Sequence, residues 1–201
     1  MQLIIVNGPS GSGKTRLSKK ILKKLKYGII LNTDNYYKTG IISKIFAKLI
    51  KSYFDRKISF NFNLFKRDLE FILKNGFSNF YYKYDFKKRK IQKILKKTKK
   101  IKFIIIEGIF GKEIFKFLSS EHHILITLKI NKKTCMRRVI KRDFIKRGKS
   151  KNLAKKDFIK AWDLFYNNKK NKNSNIYLKE IVIRNNNDIS NLIKKITKIV
   201  N

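Results

Sequence analysis

The sequence predicts an α/β fold, a parallel sheet covered by helices on both faces, and three observations predict it. Short apolar runs alternate with amphipathic stretches along the chain, the pattern of strands joined by crossover helices. Two of those runs, residues 3–6 and 103–106, are apolar at every position, as strands buried on both faces are. A glycine-rich stretch at 8–15 lies between the first run and the first amphipathic stretch, beyond the carboxyl end of a strand, where such sheets bind ligands. The 201 residues suffice for one domain of this kind, and 42% of them are apolar, enough to build its core.

Residues 2–7 read as the first strand and 15–26 as the first helix, with Leu17, Ile21, Leu22 and Leu25 at helical spacing. Between them Gly8-Pro9-Ser10-Gly11-Ser12-Gly13-Lys14-Thr15 fits G-x-x-x-x-G-K-[ST] at every position. The glycines let successive backbone N–H groups turn inward, and the helix N-terminus adds partial positive charge, so the stretch suits phosphate. Lys14 is placed to reach β- and γ-phosphates, and Thr15 to hold Mg²⁺ through its hydroxyl. A second strand at 29–31 runs into Asn32-Thr33-Asp34-Asn35-Tyr36-Tyr37. At a strand's carboxyl end, Asp34 could accept a proton from an attacking hydroxyl, bind Mg²⁺, or do both. An Asx-type turn or the cap of the next helix is the structural alternative.

Apolar positions 42, 45, 46, 49, 50 and 53 trace a helical stripe over 41–53, and a further helix is expected over 64–73, closed by Asn75-Gly76. The aromatic-rich piece 77–86 offers rings for packing or for stacking on a nucleobase. Residues 83–102 hold eleven basic residues and one acid, Asp85. With Ile91, Ile94 and Leu95 at helical spacing they read as a solvated helix, and as the local candidate for a polyanion-binding face. The run 102–106 is the strongest strand, and Glu107 at its end is placed to bind Mg²⁺ directly or through water. Gly108 beside it marks a tight approach. A strand at 124–130 leads into a helix over 133–146, with Met136, Val139, Ile140 and Phe144 facing inward. Arg137, Arg138, Lys141 and Arg142 occupy its other faces, followed by Arg147-Gly148-Lys149; arginines over a phosphate site neutralise charge on a transferred phosphoryl group. A helix over 153–165, an Asn/Lys loop over 167–175, a strand at 181–183 and an amphipathic helix over 189–199 capped by Asp188 complete the chain.

With 51 Lys and Arg against 13 Asp and Glu, the net charge is +38. Two readings stand: residues of A- and T-rich codons supplying lysine without selection, or a surface that binds polynucleotide through counterion release. No run approaches the roughly 18 uncharged apolar residues of a membrane span, and no signal or transit segment is visible. Cys135 is alone and suits a reducing compartment, so a cytoplasmic enzyme is expected. His122, His123 and Cys135 lack zinc-site spacing and read as structural.

Four blocks occur in order: GPSGSGKT at 8–15, DNYYK at 34–38, IIIEGI at 104–109 and RRVIKRDFIKRGKS at 137–150, with a shorter YDF at 84–86. In these the sequence resembles the uridine kinase family of phosphate-loop kinases, relatives of phosphoribulokinase. The resemblance implies a P-loop NTPase fold in a single kinase domain over 1–201, with an acceptor-binding insertion at about 35–100 and an Arg-rich lid at about 137–150. It implies ATP- or GTP-dependent phosphorylation of the 5′-hydroxyl of a pyrimidine nucleoside, with Mg²⁺. By motif, Asp34 is then the general base, and Thr15, Asp34 and Glu107 the metal residues. Gly8, Ser10, Gly11, Ser12, Gly13 and Lys14 cradle phosphates, and Arg138, Arg142 and Arg147 handle phosphates or nucleotide. Tyr37, Tyr84, Phe86 and Ile109 lie near the nucleoside. The family's F-D-x-P-x-A-[FL]-D segment falls at 60–67, where Asn61 replaces the ribose-binding Asp and could still hydrogen-bond a hydroxyl, without charge. Arg89 stands where the family has a histidine. A same-fold kinase for another small alcohol or sugar phosphate, and a P-loop NTPase acting on nucleic acid, are the alternatives. The reading admits a homo-oligomer and expects no membrane contact.

Overall fold

In the computed structural model, which describes residues 1–86, 88–115, 123–170, 180–185 and 188–200, β1 (Gln2–Asn7) divides its side chains between two cores. Leu3 and Ile5 join Leu31, Phe65, Ile104 and Ile106 on one face, while Ile4 and Val6 join Leu17, Ile21, Ile105 and Ile126 on the other. A strand covered on both faces has no polar side, which explains the uninterrupted apolar runs. β1 pairs in parallel with β5 (Phe103–Gly108) and β6 (Ile124–Leu128), β5 with β2 (Gly28–Asn32), and β6 with β7 (Glu180–Ile183). The sheet order is β2-β5-β1-β6-β7. α1 (Lys14–Leu25) and α7 (Asp188–Val200) cover one face, α3 (Phe62–Asn75) and α4 (Gly111–Phe115) the other. All strands being parallel, their carboxyl ends share one edge.

Two insertions leave the sheet at that edge. Between β2 and β5 the chain makes a short 3₁₀ turn (Thr33–Tyr36), α2 (Ile41–Leu49), two more such turns (Tyr53–Asp55 and Lys57–Ser59), α3, and a hairpin of β3 (Ser78–Asp85) and β4 (Lys90–Thr98). Between β6 and β7 lie α5 (Lys132–Arg147) and α6 (Lys151–Lys170), packed together around Cys135, Val139 and Phe158.

Several expectations are corrected. The helix expected within 83–102 is instead β4, antiparallel to β3, with Tyr84 opposite Ile91, Tyr82 opposite Lys93 and Phe80 opposite Leu95. The aromatic strand supplies cross-strand partners that a lysine-rich helix would lack; the Lys93 ammonium sits 4.1 Å from the Phe80 ring centroid. Three apolar residues within five positions do not separate a helical from an extended period. α2 ends at Leu49, and its stripe is no core face: Ile42, Ile45 and Leu49 are 69%, 48% and 73% exposed. Periodicity defines an apolar face without defining what covers it. In α5 the buried residues are Cys135, Val139 and Asp143, and Phe144 is exposed, because the face is set by contact with Phe158 of α6. The Asn/Lys loop begins later than expected: α6 continues to Lys170, since Asn and Lys are only weakly unfavourable in a helix; residues 171–175 lie outside the described residues. At α7 the Asn185 side chain accepts the Asp188 N–H at 3.1 Å and Asp188 accepts the Asn185 N–H at 3.2 Å. The two bonds are reciprocal, and Asp188 sits in the first turn of α7 rather than before it. His123 and Cys135 are buried, and His122 lies outside the described residues.

Candidate active site

The phosphate loop leaves β1 at Asn7 and turns into α1 at Lys14. Gly13 holds the N-cap position at φ 98°, a left-handed conformation that a side chain would strain. The Lys14 ammonium folds back to donate to the carbonyl oxygens of Gly8 and Pro9, each at 2.9 Å. Burial pulls its pKa below the usual lysine value, and the carboxylates of Asp34 and Glu107 work in the opposite sense. A desolvated cation held by neutral carbonyls is poised to exchange them for phosphate oxygens.

Across from the loop, register brings Glu107 beside Val6 of β1 and Asn32 of β2. Its Oε1 accepts the Thr15 hydroxyl at 3.0 Å and the Asn32 amide at 2.7 Å, while Oε2 is buried with no hydrogen-bond partner. Burial raises the Glu107 pKa; Lys14 and the Thr15 hydrogen bond oppose that rise. A side chain at Gly108 would run into Thr33 Oγ1, so glycine there lets the end of β2 approach and deliver Asp34. Asn32 ties the two acids together: its Oδ1 accepts the Asp34 N–H at 2.8 Å while its amide serves Glu107.

These groups line a cavity of about 350 Å³ that runs from the loop past Asn32, Asp34 and Glu107 to Ile183 and Ile189. Arg138 and Arg142 line it as well, and Arg138 Nη1 donates to the Gly11 carbonyl at 3.3 Å. A second cavity of about 290 Å³ shares Ser10, Asp34, Ile109 and Arg142 with the first. Its remaining walls include Tyr37, Phe54, Asp55, Phe86, Arg89 and Arg147. Tyr37 donates its hydroxyl to Asp34 Oδ1 at 3.2 Å, and its ring meets Phe54 and Tyr84 edge-on at 5.2 and 5.3 Å. Burial, then the charge of Asp34, lifts the Tyr37 pKa well above its ordinary value, so the phenol stays a donor. The Arg147 guanidinium lies over Phe86, 3.7 Å from the ring centroid.

The structure thus brings together most of the residues singled out by sequence. Tyr84 is buried behind Tyr37 and outside the cavity wall. Asn61 is elsewhere: its side chain accepts the Leu64 N–H at 3.2 Å as the cap of α3. Arg147 lines the second cavity and is absent from the walls of the first. Sequence reasoning missed Asp55, at the end of the Tyr53–Asp55 turn, whose carboxylate faces the second cavity with no hydrogen bond or ion pair among the described residues. Burial raises its pKa to about 6, with the charge of Asp34 adding to the rise. The signal was present. Moved six residues toward the N-terminus, F-D-x-P-x-A-[FL]-D keeps Phe54, Asp55 and Phe60, with Lys57, Ser59 and Asn61 replacing its Pro, Ala and second Asp. The register beginning at Phe60 keeps only that phenylalanine and offers no carboxylate, whereas the one beginning at Phe54 keeps three of the motif's residues, Asp55 among them.

A parallel sheet with a glycine loop of phosphate-binding pattern after β1 and an acid at the carboxyl end of β5 defines a P-loop NTPase fold, and a second cavity adjoins the loop beside the arginine-bearing α5. The chain belongs to the Phosphoribulokinase / Uridine kinase family, which it matches over residues 3–168. It is 34% identical over 155 residues to the uridine kinase of Borrelia garinii subsp. bavariensis, covering 74% of this chain and 70% of that one. It is 31% identical over 156 residues to the uridine kinase of Macrococcus caseolyticus, covering 74% and 71%. Among solved structures, the fold is similar to a candidate fructose transport system kinase from Silicibacter sp. TM1040, with TM-score 0.62, 18% identity and 81% and 84% of the two chains covered. It is also similar to YFH7 from Saccharomyces cerevisiae, a candidate P-loop containing kinase with a circular permutation, with TM-score 0.63, 12% identity and 92% of each chain covered. The protein is a P-loop phosphotransferase of a family of small-molecule kinases.

Proposed function

We propose that the protein transfers the γ-phosphoryl group of ATP, or GTP, to the 5′-hydroxyl of uridine or cytidine. The observation that carries this reading is the position of Asp34, in the wall of both cavities, with Arg142 lining both as well. A nucleotide held on the phosphate loop would present its terminal phosphate at that junction, and a nucleoside in the second cavity would present its hydroxyl there. The Tyr37 hydroxyl occupies Oδ1 of Asp34 and leaves Oδ2 to accept the proton of the attacking hydroxyl. Lys14 and Arg142 neutralise charge on the phosphoryl group as it moves. The relatives named uridine kinase support the choice of acceptor.

The buried, unpartnered Glu107 Oε2 and the Thr15 hydroxyl fit Mg²⁺, a hard cation that takes oxygen ligands and keeps much of its shell for water and phosphate. Thr15, Glu107 and Asp34 would hold it, and bound there it would offset negative charge on the phosphates. Glu107→Gln is expected to lower kcat roughly 10–100-fold and raise the Mg²⁺ concentration for half-maximal rate. Unchanged magnesium dependence would remove Glu107 from the metal site.

Asp55 is read as the group that accepts hydrogen bonds from the nucleoside's ribose hydroxyls. As a carboxylate it accepts at both oxygens, and protonation near pH 6 removes that capacity. The nucleoside KM should therefore rise as pH falls through about 6, a rise absent from Asp55→Asn. The sign for stability is opposite. The folded protein holds this proton more tightly than the unfolded chain, so the carboxyl costs stability as pH climbs from 3.8 to about 6 and above. Asp55→Asn should raise Tm at pH 8 while weakening nucleoside binding.

The whole is read as a single kinase domain over 1–201 with an acceptor-binding insertion at about 35–100 and a lid at about 137–150, working in the cytoplasm in pyrimidine salvage. Among the described residues no helix is long and apolar enough to cross a membrane. The test is ATP turnover by the purified protein with uridine, cytidine, other small alcohols, sugar phosphates and oligonucleotides. Turnover of uridine or cytidine at roughly 1–100 per second supports the proposal. Turnover stimulated only by oligonucleotide, and lost steeply with salt, overturns it.

A further inference from the structure

Asp143 lies just before the last turn of α5, close to the end where the helix's own carbonyls are concentrated and an acid is electrostatically disfavoured. It is buried, and each of its oxygens serves a different arginine. Oδ1 accepts Arg142 Nε at 2.7 Å, and Oδ2 accepts Arg147 Nη1 at 3.4 Å. Its backbone carbonyl accepts the N–H groups of Gly148 and Lys149, which closes the helix at the same point. Arg142, held by Nε, has no hydrogen bond to either Nη nitrogen among the described residues and lines both cavities. Arg147 is fixed between Asp143 and the face of Phe86 and lines only the second cavity. Two guanidiniums this close repel: burial and Arg142 both lower the Arg147 pKa, and Asp143 opposes them.

We propose that Asp143 is a positioning residue that holds the two arginines close together, aims the Nη groups of Arg142 at the phosphates from the junction of the cavities, and keeps Arg147 on the acceptor side. The proposal rests on reading that junction as the point of phosphoryl transfer.

The test is a double-mutant cycle. Asp143→Ala is made in the wild type and in an Arg142→Ala/Arg147→Ala background. It is read by kcat for nucleoside phosphorylation and, separately, by affinity for a non-hydrolysable ATP analogue. In the wild-type background Asp143→Ala should lower kcat on the order of 10–100-fold and weaken analogue binding several-fold. In the arginine-free background it should change either quantity less than about threefold, because its effect passes through the arginines. Equal losses in both backgrounds overturn the proposal and make Asp143 a structural element of α5. Asp143→Asn, which keeps shape and one acceptor oxygen, serves the same cycle if the alanine variant does not fold. If the wild type phosphorylates no nucleoside, the reading under the proposed function fails, and the analogue-binding cycle still decides the role of Asp143.

Discussion

Asp34→Asn should lower kcat roughly 10²–10⁴-fold, the usual contribution of a positioned general base, while changing ATP affinity by no more than about twofold. The asymmetry follows from the geometry. Asparagine keeps the shape of the side chain, and the hydrogen bond from the backbone N–H of residue 34 to Asn32 Oδ1 does not involve the side chain. Asparagine still offers one oxygen to the Tyr37 hydroxyl. The oxygen that would take the proton becomes an amide, which cannot. The phosphate loop and Lys14 are untouched, so the nucleotide half of the site survives. Steady-state kinetics together with titration of a non-hydrolysable ATP analogue measure both halves. An unchanged kcat would remove Asp34 as the base, and a parallel collapse of ATP binding would make it a nucleotide ligand first.

Lys14→Ala should be comparably severe and differ in kind, with kcat down about 10²–10³-fold and ATP binding weakened at least about tenfold. In the proposed mechanism Lys14 is the cation that meets the phosphates, exchanging its bonds to the Gly8 and Pro9 carbonyls for phosphate oxygens. Folding should be spared, because the substitution removes a buried charge whose protonation is already disfavoured. Glu107 should respond. Lys14 is the leading influence holding its raised pKa in check, so the acid limb of the pH–rate profile should move to higher pH in the variant. Lys14→Arg should not rescue, since a planar guanidinium cannot take the place of a compact ammonium against two carbonyls. A variant that binds ATP normally would show that the loop backbone alone carries the phosphates.

How much of this was legible in the sequence depends on the range of the interactions involved. Strands β1 and β5 were readable because burial on both faces leaves an unbroken apolar run. The loop, Asp34 and Glu107 were readable because each lies at or close to the carboxyl end of a strand, and the chemistry of a glycine loop needs its residues in fixed local order. The stretch 83–102 was misread because its conformation is decided by β3 across the hairpin and not by its own spacing. Asp55 was legible in the better-matching register of the acceptor motif, the one led by Phe54, and was obscured by a second phenylalanine at 60 that also leads a partial match.

By itself the sequence determined the α/β class, the phosphate loop and the identities of the acids at the strand ends. These are properties of neighbours along the chain: period, turn chemistry and the residue that follows a strand. The tertiary structure alone decided that Asp34 and Arg142 stand in both cavities, that Asp55 reaches the second, that Asn61 caps a helix, and that Asp143 sits between two arginines. Those relations join residues that are distant in the chain, or faces of one helix that look alike until a partner packs against them. Their geometry exists only once the sheet has set its register and the insertions have folded at its carboxyl edge.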